Sequence, residues 1–500
     1  MKKAKYILAA LVLGSSLTLT SCADDYLETT PSDAVADVTA YSTAENLMVM
    51  INGMHRNMYS RQNDSQGQNG YTAQLIYNDV LGEDVVFPTT GNGWFRDMMR
   101  WLPNNNESSG DLSYPWNFWY NMIRNSNNII TYGDNASGSV DLKDKAIGQA
   151  YAYRAYGYFQ LVQRYADRYV AGQSNDQFGV IIKNDPSLDL ILVPKGRSTV
   201  EETYAQIWAD LDEAERLLRG KSKNNNSHFA LDNVLGLKAR VALVQQDYTK
   251  AAQYAAEARS GKSLMTQAQY KQGFNDYSNP EWMWGITIVS DQTDYFGNFH
   301  AYMSRNYNST QIRQAPKVMN HALYAAFPSS DVRTQLVKPD GQHPTLGLGS
   351  SYSKYPYTSE KFLTKGLDNN TALGDVPFMR VAEMYLIEAE AKYFLGDEAG
   401  SKAVLTELAQ ARDTEFTSFT STGEAYLQEL YLQRRIELWG EGFRFFDLKR
   451  TNSALNRRNT GADGAVINNV WEVPASDFRW TWVIPRSEMN ANPLCEQNPS

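Results

Sequence analysis

The sequence predicts a mostly α-helical protein, in which a degenerate helical-repeat scaffold carries a long, loop-rich insertion with a few short strands. Three observations lead to this fold class. Apolar residues recur at intervals of three and four over several long stretches. Two pairs of these stretches are joined by turns of only two residues. Between the two pairs, residues 262–376 are rich in Asn, Gly, Pro, Ser and Tyr, which is typical of loops.

The individual helices follow from apolar spacing, and they are predicted at residues 43–60, 115–132, 141–165 and 200–218. The last has the clearest start, because Thr199 with Glu202, or Ser198 with Glu201, fits a capping box. Gly220 is a suitable stop for it. Residues 61–110 contain many Asn, Gly, Asp and Gln and are predicted to be loops.

The two helix pairs cover residues 233–245 with 248–260 and residues 377–395 with 398–412. Their facing sides are rich in alanine, and the turns contain Gln246-Asp247 and Gly396-Asp397. Such hairpins resemble tetratricopeptide units, although no strict period of 34 residues fits. We found no linker that divides residues 41–500, so we expect one body with the insertion at about 262–376. Within the insertion, residues 281–289 have a strand-like pattern.

The first residues have the layout of a secretory signal peptide. Three lysines precede an apolar run at residues 7–13 that is too short to span a bilayer. The run leads to Leu19-Thr20-Ser21-Cys22, which resembles the motif of bacterial lipoproteins. We therefore expect removal of residues 1–21, lipidation at Cys22 and a tether at residues 22–40. The alternative is an ordinary signal peptide with an incidental cysteine.

Charge and cysteine content exclude several classes of function. The formal net charge of −9 argues against nucleic acid as a partner, because phosphate binding requires clustered Lys and Arg. It argues equally against electrostatic adhesion to anionic lipid, so the lipid anchor is the only membrane attachment that we expect. Cys495 is the only cysteine besides Cys22, so a disulfide within the mature chain would have to join these two, which we do not expect.

Four segments, in order, resemble the SusD/RagB family of outer-membrane nutrient-binding lipoproteins. They are YLETTP at 26–31, GQAYAYRAYGYFQLVQRY at 148–165, RRIELWGEGFR with DLKR at 434–450, and IPRSE at 484–488. The resemblance implies a lipid-anchored protein at the outer-membrane surface that delivers a nutrient, most often an oligo- or polysaccharide, to a TonB-dependent, SusC-like transporter. It also implies that the protein catalyses no reaction and needs no cofactor.

The candidate ligand-binding residues are aromatic and polar side chains inside two loop regions. The first region contributes Trp94, Arg96 and Trp101, and the second contributes Tyr295, Phe296 and Tyr302. A flat ring can lie against the C–H face of a sugar while polar groups bind its hydroxyls. The resemblance adds that sugar-binding aromatics of the family come from loops in these regions.

Other aromatic residues are expected to fill space instead. We expect Phe95, Phe299 and Trp119 to pack loops and helices onto the scaffold. Trp282 and Trp284, which lie in the strand-like run, are expected to be about half buried.

Two alternative functions stay open. Glu437, Glu441, Arg444 and Asp447 could form the paired carboxylates of a surface glycosidase or peptidase. At this spacing, charges of both signs more often pair with each other, so a structural role is preferred and no catalytic residue is assigned. The second alternative is a transporter lid for a nutrient other than sugar. The five histidines are widely spaced, so no metal site is predicted, and the ligands of a calcium ion cannot be placed.

Overall fold

The computed structural model describes residues 40–91, 93–184, 193–294 and 296–499. The expected signal peptide, Cys22 and nearly all of the tether lie outside the described residues, and so does Tyr295. No helix within these ranges is both long and apolar enough to cross a membrane. The helices and strands below are numbered in chain order.

The helices are α1 (Ala44–Asn57), α2 (Gly70–Val80), α3 (Arg96–Met99), α4 (Gly110–Gly133), α5 (Val140–Tyr165), α6 (Val200–Leu218), α7 (Leu231–Val244), α8 (Tyr248–Arg259), α9 (Gln267–Tyr270), α10 (Phe299–Met303), α11 (Thr310–Gln314), α12 (His321–Ala325), α13 (Val332–Gln335), α14 (Val381–Phe394), α15 (Glu398–Arg412), α16 (Glu424–Glu437), α17 (Arg444–Arg450) and α18 (Arg486–Ala491). Short 3-10 turns occur at Pro103–Asn105, Pro344–Leu346, Lys365–Leu367 and Phe478–Trp480. The strands are β1 (Val85–Val86), β2 (Trp282–Ile286), β3 (Val318–Met319), β4 (Val337–Lys338), β5 (Thr358–Ser359), β6 (Val376–Arg380), β7 (Leu455–Asn456) and β8 (Glu472–Val473).

Helices α4 to α8 form a scaffold in which each helix packs against the next along the chain, and α14 and α15 extend it. Helix α8 contacts α14 directly, although the insertion separates them in sequence. The mostly α, repeat-like fold class is therefore confirmed. Two glycines of α5 allow close approach: a Cβ at Gly157 would lie 2.9 Å from Cγ1 of Ile123, and one at Gly148 would lie 2.8 Å from Cγ of Leu218.

The predicted helix starts and turns are confirmed where local chemistry fixes them. Helix α6 begins with the capping box of Thr199 and Glu202, in which each side chain accepts a hydrogen bond from the other residue's backbone N–H, at 3.0 and 2.8 Å. Asp247 and Asp397 cap the second helices of the two hairpins by accepting hydrogen bonds from Lys250 N–H and Gly400 N–H. Each hairpin turn contains a residue with positive φ.

Two segments differ from the sequence prediction. Helix α2 lies in a stretch that was predicted to be loops, and all eleven of its residues are buried. Because no side of this helix faces solvent, its polar residues, such as Gln74, Asn78 and Asp79, are buried with the apolar ones, and the sequence lacks the apolar periodicity on which the prediction depended. Residues 376–380 form strand β6, so α14 begins at Val381 rather than at residue 377.

The insertion is joined to the scaffold by a small sheet at its two ends. Strand β2 pairs antiparallel with β6, and β1, β3, β5 and β4 form a second sheet in that order. Trp282 and Trp284 are fully buried rather than half buried, because β2 is covered on both faces. Phe95, Phe299 and Trp119 are buried as expected.

Candidate ligand-binding site

The first loop region contains a tight turn at residues 91–97. Gly91, Gly93 and Phe95 have φ values of 54°, 99° and 62°, so the chain reverses direction repeatedly. The buried ring of Phe95 anchors the turn, since it makes edge-on contacts with Tyr77 at 5.7 Å and Tyr302 at 4.8 Å between centroids. The neighbouring Trp94 is only partly buried, although its ring packs against the core.

The second region, residues 291–303, is held by its own side chains. Asn298 caps α10 by accepting a hydrogen bond from Ala301 N–H at 3.1 Å. Its Nδ2 donates to Thr293 Oγ1 and to the carbonyl of Asp294. The Asp294 carboxylate accepts from Phe296 N–H at 3.0 Å, and the Phe296 ring is 60% exposed. The loop therefore presents an aromatic ring from a rigid base.

A third segment, residues 59–70, completes the site, and the sequence did not indicate it. Arg61 forms an ion pair with Asp294, and Tyr59 donates to Gln292 Oε1 at 3.0 Å. A Cβ at Gly67 would lie 3.4 Å from Cε3 of Trp94. The ring centroids of Trp94 and Tyr302 are 6.4 Å apart. Three segments distant in sequence thus meet in what we call the loop junction (residues 59–70, 91, 93–97, 291–294 and 296–303).

Several polar groups of the loop junction have no partner among the described residues. Both side-chain atoms of Asn69 are buried without a hydrogen bond, and so is the Tyr302 hydroxyl. A Cβ at Gly297 would lie 2.8 Å from Oδ1 of Asn69, so this amide borders the Asp294 loop. Burial raises the pKa of Tyr302, whereas nearby Arg61 lowers it. Because buried polar groups are usually paired, these groups are candidates for ligand contacts.

The predicted site residues have different outcomes. Trp94, Arg96 and Phe296 lie at the loop junction with accessible side chains, and Arg96 is 37% exposed. Tyr302 is also there, but the prediction that its ring contacts the ligand is wrong, because the residue is 1% exposed and its ring packs against Phe95. The prediction that Trp101 binds the ligand is wrong, because Trp101 is 1% exposed and its ring packs on Trp480.

Trp101 is buried because its indole N–H donates to the carbonyl of Leu81 at 3.0 Å and its ring also contacts Phe445. Trp101 therefore lies in the core although Trp94 does not, because the short helix α3 lies between the two residues. Arg61 and Asn69 were missed because residues 61–110 were read only as polar loops. The one feature of the sequence that could have indicated Asn69 is its polar side chain directly before the segment that forms α2.

The carboxylates of the alternative constellation lie in a buried ion-pair network. Burial alone would raise the pKa of Glu437, but Arg412, Arg380 and Arg333 hold it well below its usual value. Glu437 accepts from Arg380 Nη1 at 2.9 Å and from Arg412 Nε at 3.1 Å. Glu441 accepts from Lys361 Nζ at 2.7 Å. The network consists of Glu281, Arg333, Lys361, Arg380, Arg412, Glu437 and Glu441.

The remaining members of the motif are also paired. Asp447 accepts from Arg434 at 2.7 Å and from Arg450 at 2.8 Å, and Arg444 pairs with Glu83. These contacts tie α16 and α17 to each other and to the loop after α2. Over the described ranges, His, Cys, Asp and Glu form no group of three that could hold a metal ion.

The helical-repeat scaffold, with its loop-rich insertion, defines the class of fold to which this protein belongs. Within it, the chain belongs to the SusD family, as its motifs predicted: the family model matches residues 246–500. A second model, described as starch-binding and associating with the outer membrane, matches residues 25–243.

Individual relatives agree with this assignment. The chain is 22% identical to SusD-like protein P38 of Formosa agariphila, over 91% of this chain and 93% of that protein. Among solved structures, a SusD-like carbohydrate-binding protein from Bacteroides vulgatus is 25% identical and has a TM-score of 0.80, with 91% of this chain and 98% of that chain covered. A SusD superfamily protein from Bacteroides thetaiotaomicron, at 23% identity, has a TM-score of 0.79 with coverages of 92% and 100%.

Proposed function

We propose that this protein binds an oligo- or polysaccharide at the cell surface without changing it chemically, and that the loop junction is the binding site. The observation that carries the proposal is the meeting of three separate loops around Trp94, with the unpaired amide of Asn69 buried nearby. Rings and amides are the groups that bind the faces and hydroxyls of sugars.

Family membership and the names of similar proteins give further support. The similar structure from Bacteroides vulgatus is named a carbohydrate-binding protein, and one matching family model is described as starch-binding. The proposed acid–base role of Glu437 and Glu441 is disfavoured, because both carboxylates are buried and already occupied by cationic partners.

The proposal extends to location and delivery. We propose that a lipid on Cys22 anchors the protein to the outer membrane, and that it passes its ligand to a SusC-like, TonB-dependent transporter. These parts rest on the sequence motifs and on the family description "associating with outer membrane". Co-purification of a large β-barrel from membranes in mild detergent, lost in a Cys22→Ala variant that is no longer membrane-bound, is the expected result.

The central test combines a glycan array with analysis of products. Wild-type protein should bind at least one glycan and release no shorter sugars. Trp94→Ala should weaken binding several-fold, since one stacked ring contributes on the order of 1 kcal/mol. The matched control is Trp208→Ala, which removes a partly buried tryptophan from scaffold helix α6.

The outcomes separate the alternatives. Released sugars or peptides would favour the surface hydrolase. Absence of binding to every glycan, with a transporter still captured, would favour a lid for another nutrient. Equal affinity of the Trp94→Ala variant and wild type would move the site away from the loop junction.

A further inference from the structure

Three cations beside the loop junction form no salt bridge with any described residue. They are Arg305, which follows α10, Arg313, which lies in α11, and Lys317, which follows α11. We call them the basic cluster. Arg305 is 2% exposed and Lys317 is 5% exposed, while Arg313 is half buried. Arg380 and Arg412 are buried with carboxylate partners. Arg457 and Lys449 are buried without one, but several backbone carbonyls accept hydrogen bonds from them, whereas Nζ of Lys317 has no acceptor among the described residues.

The hydrogen bonds of the basic cluster are incomplete as well. Arg305 donates only to the carbonyls of Ile312 and Ser353, at 3.3 and 3.2 Å. Nε of Arg305, Nε of Arg313 and Nζ of Lys317 are buried without an acceptor. Burial, with no charged neighbour contributing, lowers the pKa of Lys317 to about 7. A buried cation without a partner is unfavourable, so these groups are not explained by stability.

The basic cluster borders the turn that carries Trp94. A Cβ at Gly91 would lie 2.9 Å from Cβ of Ala315 and 3.6 Å from Oε1 of Gln311, so α11 lies against the turn. Lys317 Nζ is 4.6 Å from the ring centroid of Phe87, just before the same turn. Arg305 and Arg313 both lower the pKa of Tyr352, although burial raises it overall, so the two guanidinium groups lie around one phenol.

Unpaired donors outnumber unpaired acceptors in this region. The buried donors of this region without a hydrogen bond among the described residues are Asn69 Nδ2, the Tyr302 hydroxyl, Arg305 Nε, Gln311 Nε2, Arg313 Nε and Lys317 Nζ. Arg61 Nε and Arg96 Nε also lack a hydrogen bond, but these two side chains form ion pairs with Asp294 and Asp97. The acceptors are fewer: Asn69 Oδ1, His300 Nδ1 and Asp294 Oδ2, and the last is in the ion pair with Arg61. This local excess of donors contrasts with the net charge of −9 of the whole chain. A neutral sugar offers donors and acceptors in similar numbers, whereas an anionic substituent offers only acceptors.

We infer that the ligand is an acidic glycan, and that its carboxylate or sulfate groups are received by the basic cluster next to the ring of Trp94. The inference rests on the proposed function, because it names the class of saccharide that the loop junction takes. Arg313 is the accessible member and would contact the anion. Arg305 and Lys317 are positioning residues: they are buried, so they would attract the anion through their charge and support the surface that it meets without touching it. Charge-assisted hydrogen bonds to such an anion are stronger than those to a hydroxyl.

The experiment compares glycans that differ only in charge. Calorimetric titrations use galacturonic acid hexasaccharide against its fully methyl-esterified form, and a sulfated carrageenan hexasaccharide against its desulfated form. The first pair tests carboxylate and the second tests sulfate. At least one acidic form should bind about tenfold more tightly than its neutral partner, which corresponds to about 1.4 kcal/mol. The preference should shrink in high salt, because ions screen the attraction.

Two variants locate the effect. Arg313→Gln should remove the preference for the acidic form and leave affinity for the neutral form nearly unchanged. Arg216→Gln is the control, since it deletes the same charge from an exposed position on α6 that is paired with Glu213. Thermal unfolding of both variants should match wild type.

The results distinguish this inference from the function on which it rests. If neutral and acidic forms bind equally and Trp94→Ala weakens both, the protein binds glycans and the inference is wrong. A preference for acidic forms that survives Arg313→Gln would also overturn it. If no glycan in either pair or on the array binds, the proposed function fails, and the inference fails with it.

Discussion

The ion-pair network and the loop junction differ in whether their buried polar groups have hydrogen-bond partners. In the network, Glu437 lies among three arginines, and its two oxygens accept four hydrogen bonds. At the loop junction, Asn69 is equally buried, yet neither atom of its amide has a partner among the described residues. Paired charges in the first region join α13, β6, α15 and α16 to one another. Unpaired atoms also occur in the core, for example at Tyr153, Trp284 and Trp482, so a missing hydrogen bond alone does not identify a binding surface. What distinguishes Asn69 is its position next to the Arg61–Asp294 ion pair, where separate loops meet.

Removing one charge from the network should give the largest effect. Glu437→Gln leaves Arg333, Arg380 and Arg412 with one fewer negative charge in a buried position. We expect the free energy of unfolding to fall by about 3–5 kcal/mol, because an uncompensated buried charge is strongly destabilising. Urea unfolding measures it, and affinity of the folded variant for glycan should be unchanged.

The matched control is Glu472→Gln, which breaks an ion pair with Arg458 in which both side chains are more than half exposed. That change should be below about 1 kcal/mol. Equal destabilisation of the two variants would contradict the structural role of the network.

Asp79 offers a pH test beside the network. Burial raises the pKa of Asp79 to about 8, even though the Gly442 N–H donates to its carboxylate. Between pH 3.8 and about 8 the unfolded chain releases a proton that the folded protein keeps, so the free energy of unfolding falls as pH rises through this window. Asp79→Asn should remove that slope and stabilise the protein at pH 7 by about 1–3 kcal/mol.

Urea titrations at a series of pH values from 5 to about 8 measure the slope. Asp84→Asn is the control: the pKa of Asp84 is lowered, since Arg435 and Arg444 outweigh the effect of burial. That variant should lose stability instead. A slope that is the same in Asp79→Asn and wild type would show that Asp79 is ionised in the folded protein.

Asn69→Ala tests the loop junction directly. Asn69 precedes α2 but its side chain makes no capping hydrogen bond, so its loss should change the free energy of unfolding by less than about 0.5 kcal/mol. Glycan affinity should fall by about 1 kcal/mol, the contribution of a typical hydrogen bond. Asn298→Ala, which removes a satisfied cap at the same junction, should instead lower stability. A destabilised Asn69→Ala variant with unchanged affinity would make this amide architectural.

Phe296→Ala should have the smallest effect. The ring is 60% exposed, so the free energy of unfolding should not change measurably. Affinity should fall about two- to fivefold if the ring touches sugar, which is under about 1 kcal/mol. Phe478→Ala, which removes an exposed ring from a 3-10 turn elsewhere, should leave affinity unchanged.

Much of the scaffold could be predicted because local chemistry decides it. The capping box at Thr199, the aspartate caps of the two hairpins and the small residues Gly148 and Gly157 act within one helix or one turn. The helix starts, turns and close helix contacts that they produce can therefore be predicted from neighbouring residues. Glu437 and Glu441 pair with cations as expected, but not along one helix. Helix α16 ends at Glu437, and the partners Arg333, Lys361, Arg380 and Arg412 come from distant segments that charge spacing could not indicate.

The binding site could be predicted only in part. The sequence alone determined the fold class, the family resemblance and two of the three segments at the loop junction. Only the tertiary structure decided that Trp101 faces the core, that α2 is a helix, and that Arg61 and Asn69 join Trp94. The physical reason is that accessibility and unpaired polar atoms depend on contacts between residues hundreds of positions apart, such as Arg61 with Asp294. The spacing of residues along the chain cannot predict such contacts, because the patterns that indicate helices and turns extend over only a few residues.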